Sequence, residues 1–198
     1  MQTNEIYIKY SEADDTVHSQ RIHEMYKEAA SGKDIGLAVR SVSYLNDVIT
    51  AGKGIFAFYQ EALAGFCYIE TWEHEKYLAN SGLIVLSKYR GMGIAKSIKQ
   101  HAFELSRKLY PHAKLFGLTT NSAVMRINAD LGYVPVTFSK LTQDPLFWEG
   151  CESCPNFDIL MRMNRKNCLC TAMIFDPDKP RKHYEHKTYQ KQENRSGI

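Results

Sequence analysis

Residues 81–95 read Ser-Gly-Leu-Ile-Val-Leu-Ser-Lys-Tyr-Arg-Gly-Met-Gly-Ile-Ala. The apolar run from Gly82 to Leu86 predicts a buried strand. The stretch from Gly91 to Leu109 predicts a long helix, since its apolar residues recur every three or four positions and Pro111 follows its end. The segment is therefore expected to form a strand, a tight turn containing glycines, and a helix.

The turn in this segment has the composition of a phosphate-binding site. The N-terminus of a helix leaves its first N–H groups unpaired and carries about half a positive charge. Gly91 and Gly93 have no Cβ, so a phosphate can approach the backbone, and Arg90 adds a cation beside it. The P-loop and the dinucleotide fingerprint fit badly, because no Gly-Lys-Ser/Thr follows and no third glycine is in register.

Composition indicates one globular domain with a basic tail. The chain has 198 residues, 44% of them hydrophobic, and a formal net charge of +3. Residues 179–198 contain six Lys or Arg and two Glu, so the positive charge belongs to the C-terminus. We expect a folded domain over residues 1–175 and a polar tail over residues 176–198. Without an apolar leader or a long apolar run, the predicted location is cytoplasmic, with neither a membrane nor a nucleic acid as partner.

The remaining segments predict a layered α/β (α+β) fold. In order, we expect strand 5–10, helix 16–30 capped by Asp14 or Asp15, helix 42–50 capped by Ser41, strands 54–59, 63–72 and 78–86, helix 91–109, strand 114–119, helix 121–131 and strand 133–138. This order predicts a central mixed, mostly antiparallel sheet flanked by helices.

The spacing Arg90-x-x-Gly93-x-Ala95 and this order of elements resemble the GNAT superfamily of N-acyltransferases. The resemblance implies the GNAT fold, two strands that splay apart at the acyl-CoA site, and acetyl-CoA or another acyl-CoA as cosubstrate. A backbone N–H near Ile84 to Leu86 is expected to face the developing oxyanion. The residues expected to contact the cofactor are Ile84, Val85, Leu86, Arg90, Gly91, Met92, Gly93, Ile94, Ala95, Lys96 and Asn121.

Further motifs resemble the acyltransferase domain of N-acetylglutamate synthases. They are Leu118-Thr119-Thr120, Gly132-Tyr133-x-Pro135-Val136, and residues 34–45 with Arg40-Ser41. Residues 68–72, 147–154 and 165–170 resemble stand-alone bacterial GNAT proteins linked to arginine biosynthesis. The resemblance implies glutamate as the amine substrate and an acetyl or succinyl group as the acyl group.

The resemblance also assigns substrate-binding roles. Arg40 is expected to bind a substrate carboxylate through its planar guanidinium, and Thr119 and Thr120 to line the amine pocket. The alternatives are a surface arginine and ordinary strand threonines.

The residues that move protons are less well defined by the sequence. Between Tyr77 and Tyr89 there is no Asp, Glu or His. We predict Glu70 as the general base, acting through a water, with Glu73 and His74 as alternatives.

The acid that protonates the CoA thiolate is also open. At the position where many family members carry a tyrosine, this chain has Asn128. Tyr133 is our predicted catalytic acid and Ser122 is an alternative. The thiolate could also leave unprotonated, because a thiol has a pKa of about 8.5.

The five cysteines do not indicate a disulfide framework. Cys151-x-x-Cys154 and Cys168-x-Cys170 could surround a zinc ion, but we predict no metal and four reduced thiols. A small-molecule amine is the expected partner, and a homodimer is possible. The alternatives to a glutamate N-acyltransferase are an acetyltransferase of another small amine or of a protein, and a non-catalytic CoA-binding regulatory module.

Overall fold

A computed structural model of the chain describes residues 6–31 and 37–179. The helices are α1 (Ser19–Ala30), α2 (Val42–Thr50), α3 (Ile94–Leu109), α4 (Ser122–Asp130), α5 (Pro145–Glu149) and α6 (Phe157–Arg162). The strands are β1 (Ile6–Tyr10), β2 (Gly54–Tyr59), β3 (Ala62–Trp72), β4 (Tyr77–Val85), β5 (Lys114–Thr119), β6 (Val134–Val136) and β7 (Thr171–Phe175).

The strands form one seven-stranded sheet in the order β1-β2-β3-β4-β5-β7-β6. All neighbours are antiparallel except β4 and β5, which are parallel. The expected mixed, mostly antiparallel sheet with flanking helices is therefore confirmed.

Helices cover both faces of the sheet. Helix α3 packs its Ile94, Ile98 and Ala102 against one face, together with part of α4. On the other face, α1 and α2 cover β2 to β4 through a cluster that includes Ile22 and Leu45. The segment with α5 and α6 covers the β5–β7 half of the same face. The central β4–β5 pair therefore lies beneath the boundary between these two groups of helices.

Most predicted boundaries agree with the structure to within a few residues. Ser41 caps α2, where its Oγ accepts the Tyr44 N–H at 3.2 Å. Asn121 caps α4 through its side-chain oxygen instead of forming the first helical residue. Gly93 is the N-cap of α3, so that helix begins three residues later than expected. Leu109 at its end is 47% exposed and lies outside the buried stripe.

Two predicted elements differ from the structure. The first helix begins with a 3-10 turn over Ala13–His18. The Asp15 side chain accepts the Glu12 N–H at 2.8 Å. Asp15 therefore caps this turn and not α1. The last predicted strand is only Val134–Val136, and a 3-10 turn follows at Phe138–Lys140.

The C-terminal part of the chain completes the sheet. Strand β7 inserts between β5 and β6, and its last residue is Phe175. The predicted basic tail lies outside the described residues from position 180 onward, as do Asp34, Ile35 and Gly36 of the sequence resemblance. In the described residues, no helix combines the length and apolarity needed to cross a membrane.

Candidate functional site

The site is a cleft between two strands that begin together and then separate. β4 pairs with β5 only at Tyr77–Ala79, opposite Lys114–Phe116, whereas both strands continue beyond these pairs. A cavity of about 940 Å³ fills the divergence and reaches from the N-terminus of α3 to residues around Arg40 and α5. The strand splay expected at the acyl-CoA site is present.

The predicted phosphate loop forms one end of this cavity. Gly91 has a φ of +80° and Gly93 a φ of +82°, and a Cβ on either residue would project into open space. Arg90 lines the cavity, and its Nε donates to the carbonyl of Val85 at 3.3 Å. The loop thus presents the start of α3 and a cation to the cavity, which suits a pyrophosphate.

Nine of the eleven predicted cofactor residues line the cavity. These are Ile84, Val85, Arg90, Gly91, Gly93, Ile94, Ala95, Lys96 and Asn121. Met92 is 39% exposed and is not part of the lining. Leu86 is also outside the lining, and its N–H donates to the carbonyl of Ala64 at 2.9 Å. The Leu86 N–H is therefore unavailable to an oxyanion.

A β-bulge in β4 interrupts its pairing with β3. Tyr68 pairs with Ser81, and Phe66 pairs with Ile84. Two residues of β4, Gly82 and Leu83, therefore lie opposite a single residue of β3, Cys67. Gly82 in this bulge has a φ of +64°, and its carbonyl accepts the Tyr26 hydroxyl at 2.6 Å. Because bulged residues leave the ladder, backbone N–H groups at Gly82 and Leu83 can face a ligand.

Arg40 lies in the cavity between the two groups of helices. Its Nε donates to the hydroxyl of Tyr68 at 2.7 Å, and its Nη1 donates to the carbonyl of Gly150 at 2.6 Å. Nη2 has no hydrogen-bond partner among the described residues. Burial by itself lowers the pKa of Arg40, but Tyr68 and Glu70 beside it outweigh burial and raise the pKa. Arg40 is therefore a permanently charged, fixed guanidinium in the cavity wall.

Glu70 is close enough to Arg40 to act on it electrostatically, but it is not part of the cavity lining. It accepts a hydrogen bond from the hydroxyl of Tyr44, whose ring centroid lies 5.5 Å from the Arg40 guanidinium carbon. Burial and the Glu70 carboxylate raise the pKa of Tyr44, so its hydroxyl keeps its proton. A proton from the cavity would reach Glu70 only through Tyr44 or a water.

Glu73 and His74, the alternative bases, lie in the β3–β4 turn and away from the cavity. Glu73 accepts the Thr142 hydroxyl and the Gln143 N–H, both at 2.7 Å. Those hydrogen bonds lower the pKa of Glu73. His74 is exposed. Glu73 thus has a structural role in fixing the segment before α5.

The predicted threonines line the cavity at the end of β5. Thr119 Oγ1 accepts the N–H of Asn121 at 3.1 Å, while Thr120 has no described side-chain hydrogen bond. Asn121 Oδ1 accepts the N–H groups of Ala123 and Val124 at 2.9 and 3.3 Å, which leaves its amide NH2 for a ligand. Thr119 and Asn121 therefore shape the turn after β5 and also line the cavity.

Tyr133 is not at the cavity surface. It is 1% exposed, and its hydroxyl donates to Asn80 Oδ1 at 2.8 Å. Burial raises its pKa. Asn80 does line the cavity, as do Asn128 and Ser122. A proton from Tyr133 would have to pass through Asn80 or its neighbours, so Ser122 has the more direct access.

The cavity also contains a residue that the sequence reasoning missed, Lys99. It is 2% exposed, lines the cavity from α3, and donates to Asn80 Oδ1 at 3.3 Å. Burial lowers its pKa. A signal existed in the sequence: Ala95, Lys99 and Ala102 have the i, i+4, i+7 spacing of one helix face, which places a lysine between small residues that pack inward.

Four cysteines line the cavity near Arg40, and all are reduced. Cys168 Sγ accepts the Cys170 N–H at 3.3 Å, and hydrogen bonding from Cys170 lowers the pKa of Cys168 to about 6. Burial raises the pKa of Cys151 to about 11. Within residues 6–31 and 37–179, no three His, Cys, Asp or Glu side chains are placed to hold a metal ion.

The charged side chains that line the cavity are all basic. Its described residues include four basic side chains, namely Arg40, Arg90, Lys96 and Lys99, and no Asp, Glu or His. Such a cavity attracts anions and opposes polycations. The bound ligands should therefore carry negative charge both at the phosphate loop and deeper in the cavity.

The sequence profile of the Acetyltransferase (GNAT) family matches residues 19–132. The chain therefore belongs to the GNAT acetyltransferase family and is an acyltransferase. No curated protein sequence matches the chain.

Solved structures share the fold at low sequence identity. The N-acetylglutamate synthase from Neisseria gonorrhoeae, complexed with coenzyme A and N-acetylglutamate, superposes with a TM-score of 0.63 and 17% identity over 88% of this chain. This chain spans only 36% of the length of that synthase. The protein Rv2747 from Mycobacterium tuberculosis, in complex with CoA, gives a TM-score of 0.62 and 15% identity over 86% of this chain and 98% of that one.

A third solved structure shares the fold as well. A phosphinothricin acetyltransferase from Sinorhizobium meliloti, in complex with acetyl-CoA, gives a TM-score of 0.59 and 12% identity over 92% of this chain and 97% of that one. All three structures contain CoA or acetyl-CoA, in agreement with the acyl-CoA cosubstrate expected from the sequence.

Proposed function

We propose that this chain transfers an acyl group from acyl-CoA to the amine of L-glutamate, as a step in arginine biosynthesis. The observation that carries the proposal is Arg40, a guanidinium held by Tyr68 and Gly150 in the wall of a cavity that has no acidic residue in its described lining. A fixed guanidinium recognises a carboxylate. An acceptor with two carboxylates fits such a wall better than a cationic amine does.

In the proposed reaction, the pyrophosphate of acyl-CoA binds at Arg90 and the start of α3, and its arm lies in the splay along β4. The neutral amine attacks the thioester carbonyl, and N–H groups of the bulge at Gly82 and Leu83 stabilise the oxyanion. The C–S bond then breaks, and the CoA thiolate leaves. Arg40 orients the amine by binding a carboxylate of the acceptor.

The proton from the amine needs an acceptor. Glu70 is the proposed base, reached through a water or the Tyr44 hydroxyl, because it is the carboxylate adjacent to Arg40. The proton for the thiolate comes from Ser122 or from Tyr133 through Asn80, unless the thiolate leaves unprotonated.

The proposal is tested with purified protein, L-glutamate and acyl-CoA, with N-acylglutamate detected by mass spectrometry. Arg40→Ala should lower kcat/KM for glutamate by about 100-fold, since a charge-assisted hydrogen bond contributes about 1.5–3 kcal/mol. Arg40→Lys should recover only part of this loss, because an ammonium cannot bind both carboxylate oxygens in one plane.

The matched control is Arg126→Ala, which removes an arginine from α4 that does not line the cavity. It should leave kcat/KM for glutamate within about twofold of the wild type. Binding of CoA without acylation of glutamate would reject glutamate as the acceptor. In that case, the same assay with other amines identifies the acceptor.

The predicted cytoplasmic location, the domain boundary at residue 175 and the homodimer stay predictions.

A further inference from the structure

The closed end of the cavity has a polar floor that the proposed glutamate site does not use. The last paired residues of the splay are Ala79 and Phe116, and the next residues are Asn80 and Gly117. Both of these line the cavity, together with Lys99 from α3 and Asn128 from α4. The floor is therefore an ammonium and two amides at the point where the strands separate.

Lys99 in this floor has no counterion among the described residues. It is 2% exposed, and its described hydrogen bond goes to the neutral Asn80 Oδ1 at 3.3 Å. The ring centroid of Tyr133 lies 5.5 Å from its Nζ. Burying an ammonium without an anion is unfavourable, and burial accordingly lowers the pKa of Lys99. A bound carboxylate would supply the missing negative charge.

Asn128 and Gly117 leave hydrogen-bonding capacity and room for that carboxylate. Asn80 is already bonded at both ends, since its Oδ1 also accepts the Tyr133 hydroxyl and its Nδ2 donates to Ser106 Oγ at 3.1 Å. Asn128 is 1% exposed, and its Nδ2 has only Met173 Sδ as a described partner, at 3.9 Å, so this NH2 group retains the capacity to donate to a carboxylate.

Gly117 provides the space beside these groups. A Cβ built on Gly117 would meet only the Asn128 Nδ2, at 3.7 Å. A buried amide NH2 whose described partner is a distant sulfur and a buried ammonium with one weak bond mark a position for a ligand that accepts hydrogen bonds.

The position of the floor identifies which part of the substrate would reach it. The phosphate loop is at the open end of the cleft, and the vertex of the splay is at the other end. An extended CoA arm that begins at Gly93 and follows β4 toward Asn80 brings the acyl group, not the phosphates, to the floor. The acceptor amine approaches from the opposite face of the sheet, where Arg40 and Tyr68 lie.

We infer that the acyl donor is a CoA thioester whose acyl group ends in a carboxylate, bound by Lys99 and Asn128 at the vertex of the β4–β5 splay. The inference rests on the proposed function in that the cleft must bind acyl-CoA. The reaction keeps its balance: the amine forms the C–N bond and loses one proton, the C–S bond breaks, and the CoA thiolate takes up one proton. The terminal carboxylate is unchanged in the product.

The test compares two donors that differ at this end alone, succinyl-CoA with a terminal carboxylate and butyryl-CoA with a terminal methyl. Dissociation constants are measured by calorimetry on the full chain without glutamate. The wild type should bind succinyl-CoA about 10- to 100-fold more tightly, because a hydrogen-bonded ion pair replaces an unpaired buried ammonium. Lys99→Met, which preserves length and removes charge, should abolish this preference.

The matched control is Lys108→Met, on the exposed side of the same helix, which should keep the preference. Equal affinities of the wild-type protein for the two donors would overturn the inference, even if Lys99→Met failed to fold. A preference that survived in folded Lys99→Met would overturn it as well. Failure of the proposed function looks different: succinyl-CoA would still bind preferentially, but no donor would acylate glutamate.

Discussion

Cys168 is the thiol in the cavity that the structure poises as a thiolate at neutral pH. Hydrogen bonding from Cys170 lowers its pKa to about 6, whereas burial raises the pKa of Cys67 to about 11. Because the thiolate is the nucleophile, iodoacetamide at pH 7 should alkylate Cys168 before the other cysteines, including the fully buried Cys67. Peptide mass spectrometry over time gives the order.

Lowering the pH provides a check on this assignment. Alkylation of Cys168 should fall as the pH drops below about 6, because the thiolate becomes protonated there. If Cys151 reacted first, the hydrogen bonds to Cys168 would not control its reactivity. Cys170→Ala, which removes the Cys170 thiol and keeps the backbone N–H, should slow alkylation of Cys168.

Glu70 either accepts the proton that the amine loses or positions Arg40, and kinetic measurements separate these two roles. As a general base, Glu70→Gln should lower kcat by about 100-fold, the lower end of the usual contribution of such a base. Its effect on KM for glutamate should be small, because the amide keeps the hydrogen bond to Tyr44. A raised KM with an unchanged kcat would instead show that Glu70 positions Arg40.

At the scale of single elements, the bulge in β4 depends on Gly82. A Cβ at this position would lie 2.3 Å from Tyr68 Cε1 and 2.4 Å from the Tyr26 hydroxyl, and its φ is +64°. Gly82→Ala should therefore lower the free energy of unfolding by about 2–5 kcal/mol, from left-handed strain and overpacking together. Urea denaturation measures the loss.

Gly91→Ala is the matched control for that strain. Gly91 has a φ of +80°, but its Cβ would meet nothing within 4 Å. Gly91→Ala should lower the free energy of unfolding only by the cost of a left-handed backbone at a residue with a Cβ, about 1–2 kcal/mol. Equal losses in both variants would mean that packing at the bulge contributes nothing.

The elements that sequence patterns predict well are those with local signals. Ser41 identifies the start of α2 and Gly52 its end, and the glycine turn identifies the approach to α3. Strand β7 lacked such a signal, because its place between β5 and β6 depends on pairing between residues that are 36 to 60 positions apart in the sequence. Helices α5 and α6, of five and six residues, are too short to show a helical period.

The residues of the site also divide into those with a local sequence signal and those without one. The phosphate loop and Arg40 could be found from sequence because a motif or a resemblance marks them. The burial of Lys99 and Tyr133 depends on how α3 packs on the splay, and their contact through Asn80 joins three separate elements. No local pattern shows this packing, so the prediction of Tyr133 as the catalytic acid could not take its burial into account.

For the whole molecule, the splay divides the sheet into two parts joined by few strand contacts. β4 and β5 pair through three residues each, and the hydrogen bonds from Arg40 to Gly150 and from Ser153 to Val39 connect the helices above them. A ligand in the cleft would contact both parts at once. Binding of CoA should consequently stabilise the molecule as a unit as well as order the phosphate loop.

Hydrogen exchange measures this effect directly. Saturating CoA should slow amide exchange in peptides covering residues 80–85 of β4 and 117–124 of β5 and α4, which face the cleft from its two sides. Peptides from β1, at the far edge of the sheet, serve as the internal control. Their amide exchange should slow only through the global stabilisation of the protein, which is about 2.7 kcal/mol at a CoA concentration 100 times Kd. Arg90→Gln should require more CoA for the same protection, because it removes a cation from the phosphate loop. Protection confined to residues 90–97 would mean that CoA binds through its phosphates and leaves the splay open, which contradicts an arm lying between the strands.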